Sequence, residues 1–148
     1  MLLALPYVMA CSDKEEDDQI LLNSGGRYFL FDQQTYTGNS EAFSVDFTAQ
    51  KPFQPQLMQI IHSDGTKEYV RTDTLVYKEL TDVRTGKTTH TYRYSFITIE
   101  QSDYLHLRVS LSKNEETQQR GCVIWVSEPD SAAHHYHSEL LDIYQAAQ

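Results

Sequence analysis

Apolar side chains recur at every second position through much of this chain. Tyr104 to Leu111 shows the pattern best, with Leu105, Leu107, Val109 and Leu111 on one side and Tyr104, His106, Arg108 and Ser110 on the other. That period of two belongs to a strand with one buried and one wetted face. The same alternation predicts strands at Phe43–Phe47, at Cys122–Val126 and at the C-terminus, where Leu141, Ile143 and Gln145 share a face. Leu57–His62 and Lys67–Arg71 are predicted strands joined by Ser63-Asp64-Gly65-Thr66, whose Asp-Gly pair favours a tight hairpin turn. Thr74–Leu80 and Thr88–Glu100 flank Arg84-Thr85-Gly86-Lys87 and predict a long, polar hairpin. Arg27–Asp32, apolar on both faces, predicts a short strand covered on two sides, and Ile20-Leu21-Leu22 a first strand or packing plug. Asn23–Gly26, Thr37–Ser40, the stretch around Pro52 and Pro55, and Glu128–His137 are predicted turns and loops.

About eight short strands with turn residues between them predict an all-β chain, an immunoglobulin-like antiparallel β-sandwich. A closed antiparallel barrel is the competing architecture. Ten tyrosines in 148 residues strengthen the strand reading, because aromatic residues favour strands. A net charge of −9 argues against nucleic acid, which needs clustered Lys and Arg.

The N-terminus changes the picture from fold to location. Leu2 to Met9 is an apolar run far short of the ~20 residues a spanning helix needs. Val8-Met9-Ala10-Cys11 resembles a bacterial lipoprotein processing site, which implies cleavage before Cys11 and lipid on its thiol. Two or more acyl chains, each buried methylene contributing about 0.8 kcal/mol, make such an anchor stable. A signal peptide begins with Lys or Arg, and Met1-Leu2-Leu3 has neither, so an upstream start codon is expected. Ser12, Asp13, Glu15, Glu16, Asp17 and Asp18 form an acidic, hydrated tether. They resemble the signal that sends lipoproteins of Bacteroidetes to the outer face of the outer membrane. The expected organisation is a signal peptide over 1–10, a lipidated cysteine and tether over 11–19, and one domain over 20–148.

The C-terminal half carries a second resemblance. Leu107–Leu111, Asn114, the run Arg120-Gly121-Cys122-Val123-Ile124-Trp125-Val126, and finally Leu141, Ile143, Gln145 and Ala146 resemble the closing strands of a BACON domain. Tyr28–Phe31, Gly38 and Phe43–Phe47 are similar to its opening strands, while Thr74–Glu100 is an enlarged hairpin and the family's mid-domain tryptophan is missing. The resemblance implies an immunoglobulin-like module of the cell surface that binds carbohydrate or mucin.

Candidate chemistry follows from this. Tyr92, Tyr94 and Phe96 are predicted on one face of a strand with Tyr77 in the facing arm, a platform on which sugar rings stack. The same tyrosines would otherwise cover the core with their hydroxyls at the rim. His134, His135 and His137, with His106 as a further ligand, are the densest histidine grouping, and a solvated loop is the competing reading. Cys122 falls on the core face, where burial opposes a reactive thiolate. No nucleophile elbow, phosphate loop or metal-binding cysteine pair is present, so neither enzyme activity nor a cofactor is expected. The expected function is an envelope lipoprotein with a non-catalytic glycan- or mucin-binding module. The alternative is a structural or protein-interaction subunit of an envelope assembly.

Overall fold

The structure, a computed structural model, describes residues 27–129 and 137–148. Cys11, the export residues 12–18, Ile20–Leu22, the turn at Asn23–Gly26, His134 and His135 lie outside the described residues.

Ten strands follow one another: β1 Thr35–Gly38, β2 Phe43–Thr48, β3 Gln54–Ile61, β4 Lys67–Arg71, β5 Val76–Thr81, β6 Thr88–Tyr94, β7 Ile97–Gln101, β8 His106–Leu111, β9 Arg120–Ser127 and β10 Ser138–Gln145. They form two five-stranded sheets, ordered β1-β10-β9-β3-β4 and β2-β8-β7-β6-β5. The sheets pack face to face as an immunoglobulin-like sandwich, and no barrel closes, because β1, β4, β2 and β5 end their sheets. All pairings are antiparallel except β1 with β10, which run parallel.

The alternating residues form the core as the pattern requires. From the second sheet Val45, Phe47, Ile97, Ile99, Leu107 and Val109 point inward; from the first, Met58, Ile60, Cys122, Ile124, Leu141 and Ile143 meet them. Each such side chain contributes about 1.5–3 kcal/mol when fully buried. Phe29 and Phe53 fill one end of the core, with Phe31 edge-on to Phe53 at 4.8 Å.

Four expectations are corrected. Arg27–Asp32 is not a strand: Phe29 and Phe31 are buried, but Leu30 is turned out to solvent with φ 57°, and the segment clips onto the end of β2 through Asp32 N–H to the Thr48 carbonyl. Thr37 and Gly38 belong to β1 rather than to a turn, because β10 supplies a parallel partner. Pro55 lies inside β3, buried near its start, where a bulge between Pro55 and Leu57 absorbs the missing N–H donor. The expected strand Thr88–Glu100 is broken at Ser95-Phe96, where Ser95 takes φ 55° and the chain reverses into β7.

Candidate functional site

Register decides where the predicted aromatic platform sits. Tyr77 pairs with Tyr92 across β5 and β6, their rings 5.1 Å apart and tilted by 44°. Tyr92 pairs with Ile99 and Tyr94 with Ile97, so these tyrosines point toward the interior side of the sheet. There Tyr92, Tyr94 and Phe96 pack against the core cluster, and Phe96 lies in the β6–β7 turn rather than on the strand. The Tyr94 hydroxyl donates to Glu68 on β4 of the opposite sheet, tying the two sheets together at their edge. That bond raises the Tyr94 phenol above its ordinary range and holds the Glu68 carboxyl below its own. Tyr77, 46% exposed, is the one of the three predicted residues with an open ring, and its hydroxyl meets His90 Nδ1 at 2.5 Å.

The outward side of the second sheet carries a polar groove that the alternation pattern registers only as the wetted face. It has a volume of ≈ 480 Å³ and is floored by β2, β8, β7 and β6. Arg108 stands at its centre, paired in register with Asp46 on one side and Glu100 on the other. Its Nε and Nη2 donate to the two Asp46 oxygens at 2.8 and 3.3 Å, a two-point pair that holds the Asp46 carboxyl below the usual range. Desolvation pushes the Asp103 carboxyl up, but the Leu105 amide and His106, at 2.8 Å, outweigh it and leave it low. The Thr89 and Ser102 hydroxyls meet at 3.0 Å on the far wall. The groove therefore offers ionised carboxylates, a guanidinium and hydroxyls, a donor and acceptor set suited to a hydroxyl-rich ligand. Its carboxylates with resolved shifts are drawn down, opposite to what a general acid at neutral pH requires.

The histidine grouping is not assembled by the described residues. His106 pairs with Asp103 on the second sheet, whereas His137, beside β10 of the first, is bound at Nδ1 to Glu128 at 2.7 Å and stacked on Tyr28 at 3.6 Å. Among the described residues no group of three His, Cys, Asp or Glu side chains is placed to hold a metal ion. Cys122 is fully buried, and desolvation pushes its thiol up to about 12, so it is inert as expected. Among the described residues no helix is long and apolar enough to cross a membrane.

Buried polar side chains organise the two ends of the sandwich, and of these Glu139 was invisible to motif reasoning. Glu139, 3% exposed, accepts the backbone N–H groups of Tyr28 and Phe29 at 2.7 and 3.0 Å through one oxygen. At the other end Gln145 and Asn114, both fully buried, bind loop carbonyls, Gln145 those of Ser40, Glu41 and Ser112 and Asn114 those of Gln118 and Ala146. Arg120 joins them by donating to Gln145 at 2.8 Å and to the carbonyls of Ser112 and Lys113. The residues quoted for the family resemblance thus include a structural tie between loops and strand ends.

No family model matches the chain, and no curated protein does. Among solved structures it is similar to the NMR structure of a protein from Bacteroides thetaiotaomicron, at 13% identity and a TM-score of 0.52, covering 78% of this chain and 77% of that one. At that identity the likeness extends to the fold alone.

Proposed function

We propose that this chain is a lipid-anchored protein of a bacterial cell envelope, held through Cys11 and facing outward, with a sandwich domain that is a non-catalytic glycan- or mucin-binding module. The polar groove of the second sheet carries the reading: Asp46, Arg108, Glu100 and Asp103 present fixed charged donors and acceptors on adjacent strands of a rigid sheet. Hydroxyl-rich ligands are recognised by such pre-set hydrogen-bonding groups. The test is titration of the full chain against a glycan array and soluble mucin. Arg108→Ala is expected to weaken binding at least tenfold and Tyr77→Ala to leave it unchanged. The reverse ranking would move the ligand to the hairpin tyrosines, and no binding to any glycan would sink the reading. The anchor is tested separately: incorporation of a labelled fatty acid that is lost in Cys11→Ser.

The alternative, a protein-interaction subunit, is favoured by one specific observation. The outward side of the first sheet carries Leu57, Ile61, Tyr69, Val123, Trp125 and Tyr144, far more apolar than the outward side of the second.

A further inference from the structure

That apolar face is a grid fixed by strand register. Leu57, Trp125 and Leu140 lie side by side across β3, β9 and β10. Gln59, Val123 and Asp142 form the next row, and Ile61, Gly121 and Tyr144 the third. Strand β4 adds Arg71, Tyr69 and Lys67 at one side, one to each row. No described strand lies over this face; Tyr69 is 62% exposed, Leu57, Ile61, Trp125, Leu140 and Tyr144 are half-buried, and Val123 at the centre is covered by its neighbours. Sheet faces in contact with water are mostly polar, whereas here Gln59, Asp142, Lys67 and Arg71 are the polar members of a grid otherwise apolar or aromatic. Trp, Tyr and Arg are also the residues that dominate binding energy at interfaces.

We propose that a second copy of this chain covers the face, sheet against sheet, about a two-fold axis running along β9. Charge selects both the occupant and the axis. Lys67 and Arg71 stand on β4 and Asp142 on β10, on opposite sides of β9. A two-fold along β9 lays β10 of each copy over β3 of the other, so Asp142 meets Gln59, with Tyr69 beside it and Lys67 on the diagonal, while Arg71 is held in a two-point pair by Asp73. Among the described residues the Asp142 carboxylate forms no side-chain hydrogen bond, and Gln59 spends one amide proton on the Tyr69 hydroxyl. The same operation sets Leu140 on Leu57, Tyr144 on Ile61 and Trp125 on Trp125. The other in-plane axis, across the strands, would set Asp142 on Asp142 and Lys67 on Arg71, which repel. A face that complements itself under one rotation is the signature of an isologous contact.

The area is that of a small interface. Three strands of 8 residues flanked by strands of 4 and 5, ~4.8 Å apart and advancing ~3.4 Å per residue, give a face of roughly 540 Å². Two such faces together bury roughly 1,100 Å², just above the ~1,000 Å² that marks a specific contact. Two such sheets pack with their strands within about 30° of one another, which keeps the rows in contact.

The experiment uses the chain from residue 11 onward, as the proposed processing leaves it, with Cys11→Ser so that no terminal thiol crosslinks it, in sedimentation and light scattering from ~0.1 to ~100 µM, a span that brackets a weak contact of this size. Trp125 is the single tryptophan, so its emission reports the same equilibrium without a label. The expected result is a dimer whose dissociation on dilution is accompanied by a red shift of that emission. Asp142→Arg is expected to weaken the dimer at least tenfold, and adding Lys67→Glu to recover most of the loss, because the reversed pair again meets across the interface. Trp125→Glu, checked for folding by circular dichroism, is expected to yield monomer. A chain that stays monomeric throughout, a dimer indifferent to Asp142→Arg, or a loss that Lys67→Glu fails to recover would each overturn the proposal.

Discussion

Glu139 carries more of the fold than its place at the start of β10 suggests. One buried oxygen receives two backbone amides, and this bond fixes the Tyr28–Phe29 segment that delivers Phe29 to the core. Replacing it by Ala leaves both amides without their acceptor, a loss of about 1–3 kcal/mol expected as a lower urea midpoint with unchanged slope. Its other oxygen is buried without a partner among the described residues, so Glu139→Gln is expected to fall between wild type and Ala. Cys122 gives the opposite prediction, of silence. A thiol pushed up to about 12 by burial is expected to resist alkylation in the native protein and to react once denaturant opens the sandwich. Gly121 is the third decisive residue. A Cβ built there would lie 2.3 Å from the Ile143 carbonyl oxygen on the neighbouring strand. Gly121→Ala therefore forces β9 and β10 apart and is expected to cost about 1–3 kcal/mol, read as a lower melting temperature.

Elements were legible in proportion to how much of their pairing was written locally. β2, β8, β9 and β10 alternate cleanly, and the structure places Val45, Phe47, Leu107, Val109, Ile124, Leu141 and Ile143 inward as the period demands. The β3–β4 hairpin was equally visible, because Gly65, at φ 90°, occupies the left-handed turn position that Asp-Gly announces. β1 was not, since its four residues acquire strand geometry only from a distant partner. Nor was the β6–β7 reversal, where Ser95-Phe96 interrupts an apolar, aromatic run without Gly, Pro, Asn or Asp to mark it. Of the expected face of Tyr92, Tyr94 and Phe96 with Tyr77 in the facing arm, Tyr77 does meet Tyr92 across the hairpin while Phe96 lies in the turn, and alternation alone does not say which side the other sheet covers. The groove stayed hidden for the same reason: Asp46, Glu100 and Arg108 come from three strands and converge only through register. At this scale Ser95→Val is expected to destabilise the β6–β7 turn by about 1–2 kcal/mol, since a β-branched side chain fits poorly at positive φ.

For the whole molecule, electrostatics gives stability a definite slope with pH. Asp46 is held low first by its hydrogen bond to Arg108, and Glu68 first by that from Tyr94. At Glu128 desolvation works upward, but the bonds from His137 outweigh it. Each of these folded values lies below the unfolded one, so the stability they contribute is complete above the ordinary carboxylate range and is lost as pH falls through the folded values. Asp142, raised by burial, works the other way and is relieved by protonation. The lowered groups outnumber it, so the melting temperature is expected to fall between about pH 4.5 and 2.5. Asp46→Asn should flatten that fall, and Asp142→Asn, measured dilute enough that the chain is monomeric, should raise the melting temperature at neutral pH with no gain at pH 3. The parallel pairing of β1 with β10 carries a further consequence. Gln34 reaches Leu140 across 106 residues of chain, so the sheet neighbour that β1 has among the described residues is β10, far downstream. A polypeptide leaving a ribosome or threading a translocon N-terminus first must carry β1 unzipped until β10 emerges, and such distant closure folds slowly. Anything that binds an unpaired backbone edge thus finds β1 open until β10 is delivered.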